Sequence, residues 1–427
     1  MFFSKIIQSF HSRQFVFLLF FLAVSAVFAQ NDISAVSEAD RMSASFVASY
    51  DSLLNTFFVK SHQSANARHN REVSVEDFDM IPDSVIMHRL AALHTVIPMT
   101  FNSEVRAFIR MYLKRMSTRL DATLSLSNYY HPMFEEVLSH YGVPEELKYL
   151  TIVESAMNPM ATSRAGAAGL WQFMYHTGKL YDMEVNSVVD DRRDPYKSTV
   201  GAARYLRDLH GIFDDWTLAI AAYNCGPGNI NKAISRSGGK RDFWQIYPFL
   251  PRETRGYIPA FIAATYVMNY YPEHGLKAYT FNIPKSFDTI RLQKNVLMCY
   301  VADMTGVPLD ELRALNPQYR IDMIPASSGN YSICLPANKI DLMIRCEDSI
   351  YARTADSLAV RPVEVESYQP RGSKVRGRGH GSAGSHVVKK GETLSAIARK
   401  HGTTVSALRK KNHLKSDKIQ AGQHIKL

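Results

Sequence analysis

Between Ser84 and Tyr271 the apolar residues recur at three- and four-residue steps, as in Val105, Phe108, Ile109, Tyr112 and Leu113, and β-branched alternation is scarce. That spacing gathers them on one stripe of a helix, whereas a strand would scatter them over both faces. A mainly α-helical domain is expected over 84–280, interrupted by Gly and Pro. The pattern changes after it. "FDTIRL" (287–292) and "YSICLP" (331–336) read as short strands. Helical stretches are expected between them, at 296–305 and 309–315 on either side of Gly306, with one more helix over 341–360. From His386 to Leu427 the order strand, helix, helix, strand returns. Thr393 caps a helix presenting Leu394, Ile397 and Ala398, Gly402 ends it, and Thr404 caps the next. The expected fold class is mainly α, a helical domain followed by small α+β (βααβ) modules. The first module, in 281–360, is a more degraded copy of the second, 386–427.

Three segments lack a core-forming pattern. At the N-terminus Lys5 and Arg13 precede an apolar run from Phe15 to Phe28, and Val27-Phe28-Ala29 offers a cleavage site. The run is short against the roughly 20 residues of a spanning helix. Residues 1–29 are therefore read as a cleaved signal peptide and not as a retained anchor, sending the chain to the periplasm or cell envelope. Residues 30–83 form a polar lead-in, partly helical or disordered. Residues 361–385, "RPVEVESYQPRGSKVRGRGHGSAGS", read as a basic disordered linker. From Arg361 onward 15 Lys and Arg face 4 Asp and Glu, which accounts for the net charge of +10 and leaves the rest near neutral. Two readings stand for this basic tail: a contact for an anionic polymer or membrane surface, or a soluble tether. Nucleic acid is not a supported partner, because no recognition motif is present. Cys225, Cys299, Cys334 and Cys346 show no C-x-x-C spacing, so no metal site is expected. One disulfide among the last three stays open in an exported chain. No cofactor is implied, and the oligomeric state is open.

The chemistry centres on "YLTIVESAMNP", 149–159. Pro144 suits the first turn of a helix, with Glu145 and Glu146 favourable against its dipole, and Asn158-Pro159 is expected to stop it. Glu154 follows Leu150 by four residues and Leu147 by seven, so its carboxyl projects from a face meant for burial. Desolvation raises the pKa of such an acid. An acid still protonated near neutral pH suits cleavage of a glycosidic bond. A structural Glu, paired with an Arg or capping a neighbouring helix, fits the same pattern. "SRAGAAGLWQFM" (163–174) places small residues, which permit close backbone approach, ahead of Trp171 and Gln172. Trp171 can stack on a sugar face or belong to the core; Gln172 can hydrogen-bond hydroxyl or acetamido groups. "DWTLAIAAYNCGPGNI" (215–230) is an apolar helix with Tyr223 and Asn224 at its tip.

"ESAMNP", "AGAAGLWQFM", "AAYNCGPG" and "PRETRGYIP" occur in this order, and together resemble the membrane-bound lytic murein transglycosylase D type of the lysozyme-like superfamily, over 84–271. The resemblance implies a lysozyme-like catalytic domain with Glu154 as acid and base. Ser155 and Gln172 would line the sugar cleft, Tyr223 would sit near the carboxyl, and Asn224 would support the turn. Tyr257 is a weaker wall candidate. The family usually has Ala where Cys225 stands, which reads as a tolerated small residue and not as a nucleophile. The charges of "DDRRDPYKST" (190–199) read mostly as helix-start scaffolding, with substrate contact as the alternative. The tail 386–427 resembles a LysM module, implying glycan binding through Gly391, Glu392, Thr393, Leu394 and Ile419, and 286–340 resembles a degenerate LysM. Ordinary glycosidases use two carboxylates. Among Asp182, Glu184, Asp190, Asp191 and Asp194 no motif singles out a second. The family implies that one Glu suffices, acting on peptidoglycan glycan strands and closing a 1,6-anhydro ring without water. A hydrolytic muramidase of the same fold and a non-catalytic peptidoglycan-binding scaffold are the rivals.

Overall fold

The computed structural model describes residues 38, 40–43, 78–278, 286–326, 331–368, 385–388, 392–400, 405–414, 416–417, 419–420 and 422–426. The expected signal peptide and most of the lead-in lie outside the described residues. The described part of the lead-in packs against the helical domain: Met42 is buried in its core, and Glu38 pairs with Arg255.

The helical domain runs through α1 (Asp83–Ala91), α2 (Ser103–Arg110) and the long α3 (Ser117–His140). Asn102 caps α2 by accepting from the Val105 amide at 2.9 Å. A 3-10 turn, Glu145–Tyr149, then leads into the short α4 (Leu150–Ser155). The expected stop at Asn158-Pro159 comes too late. The helix ends at Ala156 and Met157, which take left-handed φ values of 52° and 59°. Both are fully buried, and tertiary packing holds a conformation that costs a non-glycine residue about 1–2 kcal/mol.

Next come α5 (Tyr175–Leu180), α6 (Pro195–Phe213), α7 (Trp216–Cys225) and α8 (Pro227–Arg236). Asp194 caps α6 through the Lys197 amide and Asp215 caps α7 through the Leu218 amide, while Gly226, at φ 84°, ends α7. After α9 (Phe243–Ile246) and α10 (Arg252–Arg255), α11 (Tyr257–Tyr270) closes the domain. Its side chains are buried without interruption from Tyr257 to Met268. A helix apolar all round belongs in a core, and α2, α4 and α7 all pack on this one.

The first small module pairs β1 (Phe287–Arg291) antiparallel with β4 (Ser332–Pro336), in the register Thr289 opposite Cys334. Between them lie β2 (Val296–Leu297), α12 (Met298–Thr305), α13 (Leu309–Leu315) and β3 (Met323–Ile324), with β2 paired to β3. The expected helix beginning at 296 thus starts two residues later, after a short strand. Helix α14 (Ile340–Val360) packs on α12. This module is not detached. Val188 and Val189, from the helical domain, are buried in its core, and residues up to Tyr368 form one compact unit. Residues 361–368, expected to open the linker, are instead held against the unit, because Ser187 and Glu366 exchange hydrogen bonds; residues 369–384 lie outside the described residues. The four cysteines are all free, so the open disulfide does not form.

The second unit holds β5 (Ser385–Val387), α15 (Leu394–Lys400), α16 (Val405–Lys411) and β6 (His424–Lys426), with β5 and β6 antiparallel. Val388, Leu394, Ile397, Leu408 and Ile425 make its core. Among the described residues no helix is long and apolar enough to cross a membrane.

Candidate active site

Glu154 projects from the last turn of α4, half-buried. Its Oε1 accepts from the hydroxyl of Tyr257, the first residue of α11, at 2.5 Å. Burial pushes the Glu154 acid up from 4.5 to about 7, against the Tyr257 hydrogen bond, which favours the ionised form. The buried Tyr257 hydroxyl is raised well above its ordinary value, first by burial and then by the neighbouring carboxylate charge. The residue expected to be the weaker wall candidate is thus the one in contact with the acid. No local spacing rule links positions 154 and 257; the packing of α4 on α11 brings them together.

The other expected residues divide sharply. Ser155 is fully buried, and its hydroxyl donates to the Leu170 carbonyl at 2.8 Å, so it braces the following loop and does not line a cleft. Trp171 is corrected in the same way. Its ring is completely buried, stands edge-on to Phe134 at 5.5 Å, and donates from Nε1 to Thr199 Oγ1 at 2.9 Å. A ring so enclosed has no face for a sugar. Gln172 is half-buried in the left-handed region, and its amide donates to the Gly169 carbonyl at 2.8 Å. Tyr223 lies within the field of Glu154, which adds to burial in raising its pKa, but its hydroxyl donates to the Trp171 carbonyl at 2.7 Å. Asn224 accepts from Thr254 Oγ1 at 2.9 Å, tying the tip of α7 to α10.

Sequence reasoning missed what holds the 160–173 loop. Arg192 and Asp190 form a buried bidentate pair, with Nε–Oδ1 and Nη2–Oδ2 both 2.8 Å. Arg192 Nη1 also donates to the carbonyls of Gly166 at 2.9 Å and Phe173 at 3.2 Å. Gly169, at φ 86°, lies so close beneath that an added Cβ would sit 1.7 Å from the Arg192 carbonyl oxygen. The signal was present in "VVDDRRDP": charges directly after two core valines are pulled inside with them.

The five downstream acids are each committed elsewhere. Asp182 pairs with Arg204, and Glu184 accepts from Asn186 and Tyr331. Asp190 holds Arg192, Asp191 holds Lys197, and Asp194 caps α6. Glu154 is left with a tyrosine as its hydrogen-bonding partner.

In the C-terminal module Gly391 lies outside the described residues. Glu392 is half-buried and bonded to His386 Nε2 at 2.8 Å, and Thr393 caps α15 by accepting from the Ala396 amide. Leu394 is a core residue, 1% exposed, which corrects its reading as a glycan contact. Ile419 packs half-buried against the same core.

Three family models match in sequence order. They are the transglycosylase SLT domain over residues 132–246, the LysM-like domain of lytic transglycosylase MltD over 286–352, and the LysM domain over 386–427. The soluble lytic murein transglycosylase of Escherichia coli K12 is 31% identical over 143 residues, 31% of this chain and 22% of its own. Among solved structures, the 70 kDa soluble lytic transglycosylase of E. coli aligns with a TM-score of 0.31 at 19% identity, over 55% of this chain and 44% of that one. The membrane-bound lytic murein transglycosylase D of E. coli K12 is 31% identical over 328 residues, 76% of this chain and 68% of its own length. An SLT domain followed by two LysM-type modules is thus matched along most of a relative's length, and the chain belongs to the membrane-bound lytic murein transglycosylase D family.

Proposed function

We propose that this chain is an exported peptidoglycan lytic transglycosylase, with Glu154 as its acid and base and the C-terminal LysM module as its glycan anchor. One observation carries the assignment of Glu154: its carboxyl is raised to about 7, hydrogen-bonded by Tyr257, and unaccompanied by a free second acid from the downstream stretch. A group of that pKa is substantially protonated near neutral pH. It gives its proton to the glycosidic oxygen between N-acetylmuramic acid and N-acetylglucosamine as the C1–O bond breaks. The resulting carboxylate then takes the proton of the muramoyl C6 hydroxyl, whose oxygen closes on C1 to form the 1,6-anhydro ring. The acid returns to its starting state and no water is consumed, so no second carboxylate is needed to activate one. The nucleophile is already part of the substrate, which gives it the advantage of proximity. Tyr257 orients the carboxyl and offsets part of its desolvation.

The chain's matches to SLT and LysM models support peptidoglycan as the partner. We place it in the cell envelope, delivered by the N-terminal signal and held at the glycan by LysM. Digestion of purified sacculi followed by product mass spectrometry tests the reading. Wild-type chain should release muropeptides one water lighter than reducing-end products, and Glu154→Gln should bind sacculi yet release none. Reducing-end products would make the protein a muramidase; no release by the wild type would make it a scaffold.

A further inference from the structure

Residues 184–194 are gripped from two sides within one compact unit. On one side stands the β1–α14 module. The Asp190 amide donates to the Gln318 carbonyl and the Arg320 amide to the Val188 carbonyl, both at 2.8 Å. The Arg320 guanidinium reaches the Asn186 carbonyl at 2.8 Å, and the Tyr331 hydroxyl donates to Glu184 Oε2 at 2.5 Å. The chain leaving α14 returns to the same stretch. The Ser187 amide donates to the Glu366 carbonyl, and the Glu366 amide to Ser187 Oγ, both at 2.8 Å. Tyr368 then sets its ring against the guanidinium groups of Arg192, at 5.4 Å, and Arg320, at 5.6 Å.

On the other side stands the 160–173 loop. Arg192 holds it at Gly166 and Phe173, and Arg193 holds it at the Met160 carbonyl, 3.2 Å, and at Thr162 Oγ1, 2.9 Å. Gln172 and the Trp171 carbonyl that anchors Tyr223 both belong to this loop. A buried guanidinium must keep its carboxylate and its carbonyls, because a buried charge stripped of a partner is strongly destabilising. Displacing Asp190 therefore displaces Arg192, and with it the loop.

We propose that Asp190 and Arg192 are positioning residues for the glycan cleft, through which the β1–α14 module and the 361–368 strap hold the Gln172 loop in register with Glu154. The module then serves the enzyme as a buttress of its catalytic unit. This inference rests on the transglycosylase reading above.

The test uses the full chain with Arg192→Lys, which keeps the charge and loses the fork, and Tyr368→Ala, which alters the far end of the relay at a half-exposed ring. Hydrogen–deuterium exchange should show faster exchange of amides 160–173 in both variants, with α3 and α11 unchanged. On glycan strands, KM should rise about tenfold for Arg192→Lys and about threefold for Tyr368→Ala, with kcat and the alkaline limb of the pH profile retained. Unchanged loop exchange with unchanged KM, and only a lower melting temperature, would leave the pair merely structural and overturn the inference. A fall in kcat at constant KM, or a shifted alkaline limb, would overturn it too, since Arg192 would then act on the reacting groups. Should Arg192→Lys fail to fold, Tyr368→Ala decides. A wild type that releases no anhydro product defeats the transglycosylase reading alone, because the exchange measurement needs no turnover.

Discussion

Glu154 is held in a state that favours its proton at a cost to the fold. Its folded pKa of about 7 lies above the ordinary 4.5, so the folded chain binds that proton more tightly than the unfolded one. The stability linked to it is present below the ordinary pKa and is lost as pH rises through the folded value. Glu154→Gln keeps the shape and the acceptor for Tyr257 but cannot ionise. The variant should therefore gain stability over wild type as pH rises from about 4 to about 8, by up to about 3 kcal/mol. Urea unfolding at the two pH values measures this, and an equal difference at both would remove desolvation as the cause. The pKa of Glu154 was legible in direction from its place on an apolar face. Its partner was not, because 103 residues separate it from Tyr257.

At the scale of elements, two short pieces of irregular backbone matter more than the long helices. The left-handed pair Ala156 and Met157 cuts α4 short, leaving Glu154 in its final turn. The 160–173 loop then folds back, with Trp171 turned inward and Gln172 half-exposed. The small residues of "AGAAGLW" permit close backbone approach, and at Gly169 the backbone that approaches is the chain's own, at Arg192. Trp171→Phe loses the bond to Thr199 and part of a core ring. It should lower unfolding free energy by about 1–3 kcal/mol while leaving the KM for glycan strands of the folded fraction unchanged. A raised KM without lost stability would restore the stacking role.

Over the whole molecule, the two LysM-type modules have different attachments. The first shares core residues with the helical domain, and the second belongs to a separate unit after Tyr368. Their similar strand and helix order gave no hint of this difference. The signal lay in the intervening chain, where "VEVESY" precedes the Gly- and Arg-rich stretch and docks on residues 186 and 187. A chain ended at Tyr368 should keep its melting temperature and its cleavage of short soluble glycans. Its apparent affinity for insoluble sacculi should fall about tenfold to a hundredfold, because the second attachment is gone. Pelleting assays beside cleavage assays measure both, and unchanged pelleting would deny the LysM module its anchoring role.

The sequence by itself determined the helical class, the repeated strand–helix–helix–strand order, and the family, since periodicity, caps and ordered motifs are local properties of the chain. It also marked Glu154, because a carboxylate on an apolar stripe is conspicuous wherever the stripe packs. Only the tertiary structure decided that Tyr257 holds the acid, that Trp171 and Leu394 are core, and that Arg192 braces the 160–173 loop. Those contacts depend on which buried surfaces meet, and burial joins residues that no spacing rule relates.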